Sequence, residues 1–265
     1  GRARAGQGAL TPGPAMKVFI VHAHPEPRSF GQALLQRAVH TLRETGHQVV
    51  VSDLYAMGFQ PVATGDDFSE RRFPDALQYD REQKQASQRQ TFRADIQAEL
   101  DKLMACDLLI LQFPLWWFSV PAIMKGWIDR VFANGTVYGA GGKRFDQGGL
   151  KGRKAMLAFT TGCFPEMMAP DGLLGQRDVI LWHLQHGTFG YSGLQVLQPF
   201  VGWSIQYTDP GQRGAYLDAY EARLRGIEHE AAMPSHPLSD FGPDWRLKPG
   251  IAPRTAGHRR PGDGA

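Results

Sequence analysis

The chain has 265 residues, 42% hydrophobic and 21% charged, a composition that fits one large globular domain and excludes a disordered chain or a coiled coil. Its net charge of +3 comes from the ends, where Arg2, Arg4, Lys248, Arg254, Arg259 and Arg260 against Asp263 give +5; the body carries −2 and shows no basic stripe for nucleic acid. Two cysteines, Cys106 and Cys163, make neither a disulfide framework nor a CxxC pair, which fits a reducing, cytoplasmic setting, and no apolar run approaches the roughly 18 residues of a membrane span.

Residues 1–15 have no signal-like apolar core and read as an extension ahead of a fold that opens at Met16. Lys17–Val21 (KVFIV) is a short β-branched run, the pattern of a buried parallel strand. It breaks at His22-Ala-His-Pro-Glu-Pro. Ser29 with Gln32 three residues on is a capping box, and Ala33, Leu34, Leu35, Ala38, Val39 and Leu42 follow with helical spacing up to Gly46. His47–Ser52 predicts the second strand. Residues 54–90 are a polar excursion with isolated Phe59, Phe68, Phe73 and Tyr79 and a short helix near the end. Thr91–Met104 predicts an amphipathic helix, and Asp107–Phe113 (DLLILQF), apolar almost throughout, predicts the central strand. Pro121 suits the first turn of a helix over 121–133. A fourth strand is expected over Lys154–Thr160, a helix over Leu173–Gln185, a fifth strand over Leu194–Phe200 and a closing helix over Arg213–Glu228. From Pro234 the periodicity vanishes, so the organisation is an extension 1–15, a domain 16–233 and an irregular C-terminal tail 234–265, either surface-wrapping or disordered.

Strands alternating with helices imply an α/β, doubly wound parallel sheet, which binds ligands beyond the carboxyl ends of its strands. The loop after strand one runs into a capped helix, an anion site suited to phosphate. It contains no GxGxxG, and Gly142-Lys143 is followed by Arg144 and lacks the first Walker glycine. The loop after strand three carries Trp116, Trp117 and Phe118 in succession. Three consecutive aromatics cannot all face one core, so at least one lines a cleft and offers a flat face to a planar ring. The loop after strand four, Thr160-Thr161-Gly162-Cys163, presents hydroxyls and backbone N–H groups. Together these loops suit a phosphorylated planar cofactor such as a flavin nucleotide. His22 and His24 lack a third ligand nearby and read as hydrogen-bonding residues, and His183 and His186 as packing or surface groups.

Five motifs occur in order: Ala23-His24 followed by Ser29-Phe30; Ser52-Asp-Leu-Tyr-Ala-Met; Gln112-Phe-Pro-Leu-Trp-Trp-Phe-Ser-Val-Pro-Ala-Ile-Met-Lys-Gly-Trp; Thr160-Thr-Gly; and Val179-Ile-Leu-Trp. On them the chain resembles the NAD(P)H:quinone oxidoreductases, FAD enzymes of flavodoxin-like fold, over residues 16–230. The resemblance implies a five-stranded sheet in the order 2-1-3-4-5, tightly bound FAD, NAD(P)H as co-substrate and a homodimer with its active site at the interface. It implies that His24, Ser29, Phe30 and Gly31 hold the pyrophosphate, with Gly31 replacing the family's usual asparagine. Pro114, Leu115, Trp116, Trp117 and Phe118 would meet the isoalloxazine, with Trp117 and Phe118 as the pocket floor. Thr160, Thr161, Gly162 and Cys163 would bind the ring edge, and Arg213 would lie near the adenine. Gln78, in Leu77-Gln-Tyr, would reach the flavin across the interface, and Tyr138 of the partner would close the substrate pocket.

Departures accompany the likeness. The tyrosine and histidine that follow the Thr-Thr-Gly loop in well-studied animal members align with Met168 and Leu174, which cannot donate a proton. Cys163 stands where a second glycine is usual and reads as a small thiol without a redox role. Gly190 replaces a ligand of the structural metal that some members carry beside His186, so no metal is expected. The reading is a two-electron, ping-pong reduction of quinones. Alternatives are an azo, nitro or flavin reductase on the same scaffold, a one-electron carrier, or a flavin-binding regulatory subunit of a potassium efflux system.

Overall fold

The computed structural model describes residues 14–260; residues 1–13 of the extension and 261–265 of the tail lie outside the described residues. Five neighbouring positions form a parallel sheet. Its strands β1 (Lys17–His22), β2 (Gln48–Asp53), β3 (Leu108–Pro114) and β4 (Lys154–Thr160) run in the order β2-β1-β3-β4. Every residue of β3 is buried, as its uninterrupted apolar run requires, and it pairs with β1 on one side and β4 on the other. The twofold alternation of each strand feeds two cores. Phe19, Val21, Leu109, Leu111 and Phe159 face one side with Leu100 and Trp127; Val18, Ile20, Leu108, Ile110 and Met156 face the other with Leu34, Leu42 and Tyr220. The first layer belongs to helices α3 (Ala94–Ala105) and α4 (Ala122–Val131), the second to α1 (Phe30–Glu44) and α7 (Pro210–Leu224). The flavodoxin-like order expected for the first four strands is therefore what the chain adopts.

The fifth position departs from the expected single strand over Leu194–Phe200. It is filled by two segments, β5 (Gln195–Val196) and β6 (Phe200–Gly202), both parallel to β4. Pro199 lies between them and has no N–H for a ladder, so pairing stops and resumes. The helix expected over Leu173–Gln185 is also different. Gly172 accepts from the Gly175 N–H at 3.0 Å, and Gly175 has φ +79°, a turn that delays helix until α5 (Arg177–Ile180). After α6 (Trp182–Leu184) the chain widens into a π-helix over Gln185–Gly190. Pro121 is extended (ψ 152°) and caps α4 from outside its first turn. The closing helix starts earlier than Arg213, because Asp209 and Gln212 form a reciprocal capping box and Pro210 fills the first position.

The polar excursion is ordered. It contains α2 (Tyr79–Arg89), and Asp67 anchors it by accepting from Arg130 Nη2 at 2.8 Å, Arg130 Nε at 3.1 Å and the Tyr79 hydroxyl at 2.6 Å. Gly126 permits this docking, since a Cβ there would run into the backbone of Pro61. The tail wraps the surface: Met233 N donates to Val196 O at 2.7 Å, Leu238 N to Asp146 Oδ1 at 2.8 Å, and His236 is buried. Among the described residues, no helix is long and apolar enough to cross a membrane.

Candidate active site

The carboxyl ends of β1, β3, β4 and β6 open on one cleft of about 550 Å³. It brings together nine of the residues singled out from sequence: Ser29, Phe30, Pro114, Leu115, Trp116, Thr160, Thr161, Gly162 and Arg213. Arg28, Ile205 and Gln206 also line it and were not foreseen. The last two belong to the loop after β6, a fifth-strand loop to which the carboxyl-end rule applies equally. Gln206 lies directly under Gly162, where a side chain would displace it.

The loop after β1 builds an anion site. Ser29 Oγ accepts from Gln32 N at 3.1 Å and starts α1, leaving first-turn N–H groups directed outward. The Glu26 N–H donates to His24 Nδ1 at 3.0 Å, so a neutral His24 carries its proton on Nε2 and has that donor free. Burial holds its pKa below the ordinary value, opposed by its contacts with Glu26. Gly31 sits in the angle between the two histidines, its missing Cβ 3.3 Å from His24 Cδ2 and 3.8 Å from His22 Cε1. Burial, opposed by Asp53 and reinforced by His24, pushes His22 down to about 4. Gln112 Nε2 donates to Gly31 O at 2.7 Å and ties the anion loop to β3.

The loop after β3 is a two-residue hairpin. Trp116 and Ser119 exchange both backbone hydrogen bonds at 3.0 Å, and the residues between them, Trp117 and Phe118, have φ of +51° and +61°. Positive φ at both centres is the hallmark of a type I′ turn, a place for Asn-Gly rather than two bulky aromatics. All three aromatics are exposed, unevenly: Trp116 is 43%, Trp117 95% and Phe118 41% exposed. The hairpin is braced because Ser119 Oγ lies 2.9 Å from His183 Nε2 while His183 Nδ1 lies 3.1 Å from Ile180 O. With Nδ1–H donating to the carbonyl, Nε2 accepts from the serine, so His183 is a support of the loop and not simply a surface group.

The loop after β4 is fixed by backbone bonds to its neighbours. Thr161 N donates to Gly202 O at 2.9 Å, Leu115 N to Thr160 O at 2.8 Å, and Cys163 N to Thr161 Oγ1 at 3.1 Å. Cys163 O accepts from the N–H and hydroxyl of Ser204, so the cysteine is held by its backbone beside the cleft. Arg213 donates to Thr208 Oγ1 at 3.1 Å and Ile205 O at 3.2 Å, which aims its helix start at the cleft and makes it more than a solvated surface group.

Seven residues singled out from sequence do not line the cleft of a single chain. Trp117 and Phe118 follow Trp116 outside its wall, and His24 and Gly31 belong to the anion loop and the start of α1 without lining the cleft. Cys163 sits just beyond Gly162. Gln78 and Tyr138, which the resemblance sends to a partner's site, are elsewhere. Gln78 caps α2, and Tyr138 packs on Tyr191 with ring centroids 5.9 Å apart. Met168 is buried in a short 3₁₀ turn. Among the described residues, no three His, Cys, Asp or Glu side chains are grouped to hold a metal ion. His186 stacks on Trp182 instead, at 4.1 Å and 15°.

A parallel sheet with its cleft at these loops defines a flavodoxin-like protein, and the chain belongs to the flavodoxin-like fold family, whose model matches residues 16–225. Within it the chain belongs with the quinone oxidoreductases. It is 42% identical over 215 residues to the ribosyldihydronicotinamide dehydrogenase (quinone) of Mus musculus, covering 81% of this chain and 93% of that protein. Against NAD(P)H dehydrogenase (quinone) 1 of Cavia porcellus the identity is 38% over 226 residues, 85% and 82% of the two chains. A solved structure from Klebsiella pneumoniae, described as a candidate quinone reductase, superposes with TM-score 0.85 at 39% identity, over 92% of this chain and 98% of that one.

Proposed function

We infer that the protein is an oxidoreductase that reduces quinones by two electrons through a bound flavin, FAD, with NAD(P)H as donor. The observation that carries this reading is the strained hairpin, which spends backbone energy to hold Trp117 and Phe118 in the open at the mouth of a polar, anion-binding cleft. The residues fit the cofactor. Free N–H groups at the start of α1 and the His24 Nε2 donor suit a pyrophosphate, and Arg28 and Arg213 add positive charge on the same side. Thr160, Thr161 and Gly162 would offer hydroxyl and backbone groups to a polar ring edge, and Leu115 and Trp116 would supply an apolar wall. When bound, the flavin supplies the hydride chemistry; the chain supplies position and a dry surface.

Trp117 and Phe118 form a platform on which a nicotinamide and then a flat acceptor rest in turn. One place for two substrates gives ping-pong kinetics. A tryptophan 95% exposed on such a platform asks for a cover. A second copy of the chain, bringing Tyr138 and Gln78, supplies it in a homodimer. Neither Met168 nor Leu174 has a proton to offer a bound ring, and with the Thr161 and Cys163 N–H groups donated to Gly202 O and Thr161 Oγ1, polar contact from this loop would fall to the threonine hydroxyls and the Gly162 backbone. The names of the mouse and human relatives favour a second donor, ribosyldihydronicotinamide.

The test is anaerobic reduction of the purified, flavin-loaded protein by NADPH, NADH and ribosyldihydronicotinamide, followed in the visible spectrum. Fast bleaching by a donor and reoxidation by a benzoquinone is the expected result. A flavin that every donor leaves oxidised would remove the reductase reading and leave a flavin-binding protein.

A further inference from the structure

A second cavity, of about 500 Å³, lies away from the cleft, between the edge of β5, the π-helix and the C-terminal strap. That volume falls within the roughly 300–1,000 Å³ of small-molecule sites. Its body wall includes Gln185, His186 and Gln195, and its outer wall is the strap itself at residues 232–237 and 254–256.

Three independent features mark it as built. Gln185 is only 6% exposed, and among the described residues its amide finds one acceptor, the Met233 sulfur at 3.8 Å. A thioether is a weak acceptor, so a buried primary amide faces the cavity with hydrogen-bonding capacity to spare. Gln185 also opens the π-helix, a form that appears mostly as short insertions at functional sites. Finally, the strap is seated by specific contacts. Gly257 lies so close on the Trp182 indole that a Cβ would overlap it, and the same indole stacks on His186. His258 packs edge-on against His186 at 5.1 Å and His236 at 5.0 Å. The buried His236 is fixed between Asp240 Oδ2, 2.8 Å from Nδ1, and the Arg254 N–H, 3.0 Å from Nε2.

The lining states the chemistry. Its two acids are occupied: Asp178 pairs with Arg177 at 2.9 Å, and Asp146 accepts from Leu238 N and Gln147 Nε2. Of its two cations, Arg254 stands 3.7 Å from Asp240 and Lys151 has Asp146 within electrostatic reach, so each has an acid beside it before any anionic guest arrives. The rest of the polar lining is dominated by glutamine amides, Gln176, Gln185 and Gln195 with Gln198, whose oxygen accepts from Arg177, beside the rings of Phe145, Trp182 and His186. Amides pair with a ligand that is itself both donor and acceptor, and ring walls select a flat one. We propose that this cavity is a second binding site, for an uncharged planar heterocycle bearing carbonyl and N–H groups in the manner of a nucleobase or xanthine, and that the C-terminal strap is its lid.

The probe is theophylline, added to the full chain with its flavin cleft saturated, so that the flavin reading and this one fail separately. Binding is read by saturation-transfer NMR and located by hydrogen exchange. Theophylline is expected to bind and to protect peptides over 185–196 and 232–237. Gln185→Leu should weaken it by about tenfold or more, roughly one lost buried hydrogen bond. Gly257→Leu, which unseats the strap, should abolish it with flavin content unchanged. No binding up to about 10 mM overturns the proposal. So does binding indifferent to both substitutions, or protection confined to 114–118 and 160–163, which would assign the probe to the cleft.

Discussion

Trp117 and Trp182 are the same residue put to opposite uses. Trp117 stands almost wholly in solvent on a backbone that tryptophan rarely adopts, with φ of +51°. Trp182 has His186 stacked on it and the strap's Gly257 pressed against it. One side chain raises the energy of the folded chain and the other lowers it. An exposed, strained aromatic survives only where something outside the single chain uses it, whereas a sandwiched one is explained by the packing around it. On the proposed function, the difference separates the part of the molecule that meets substrates from the part that seats the C-terminal strap.

The comparison breaks if the two residues respond alike. Trp117→Ala should lower quinone turnover by about a hundredfold, the cost of losing a positioning surface, with flavin content and unfolding midpoint nearly unchanged. Steady-state kinetics beside a flavin-to-protein absorbance ratio checks this; equal losses of turnover and flavin would make Trp117 a cofactor anchor only. Trp182→Ala should do the reverse, costing about 3 kcal/mol in urea unfolding and leaving flavin reduction close to normal. Proteolysis would then cut within 234–260 long before the body.

Acid sharpens the contrast at the anion loop. His22 is buried with its pKa pushed down to about 4, so the unfolded chain binds its proton first as pH falls. Stability from this residue is whole above about pH 6.5, declines as pH drops, and is fully lost near pH 4, a range worth on the order of 2–3 kcal/mol. His186, also near 4 through burial and its neighbours His258 and His236, acts with the same sign on the strap. Urea midpoints between pH 7 and pH 4.5 should fall in the parent and fall less in His22→Tyr. An equal slope in both would remove His22 from the account.

How much of this the sequence showed depends on whether local pattern and tertiary demand agreed. Continuous apolar runs gave β3 and β4 almost residue for residue, and Ser29 with Gln32 marked the start of α1, because burial on both faces and a capping hydroxyl are written locally. The carboxyl-end rule found the cleft loops after strands one, three and four. It stopped short of Ile205 and Gln206 because the loop after the fifth strand was not read in the same way. The split of that strand follows from Pro199, a signal in plain view. The π-helix has no such local signal: the contacts of Gln185 and His186 are with Met233 and His258 of the strap, about fifty to seventy residues further on. The hairpin ran directly against propensity, since nothing in Trp-Trp-Phe-Ser announces two left-handed aromatics. There the failure of local reasoning itself points at function.

The smallest effect is the most diagnostic. If positive φ at Phe118 is strain carried for function, replacing the residue by one with no Cβ should release it. Phe118 is 41% exposed, so any truncation gives up the buried part of the ring, and the strain shows only between two truncations that lose it alike. Phe118→Gly is therefore expected to fold about 1 kcal/mol more stably than Phe118→Ala, less the entropy that glycine adds to the unfolded chain, and to lower turnover. Phe118→Ala, which keeps a Cβ on the same φ of +61°, should lower turnover without the gain. Thermal unfolding of the two variants side by side isolates the backbone from the ring. A glycine variant no more stable than the alanine one would mean that the hairpin is relaxed as it stands, and that Trp117 and Phe118 are exposed for want of a core and not by the demand of a ligand.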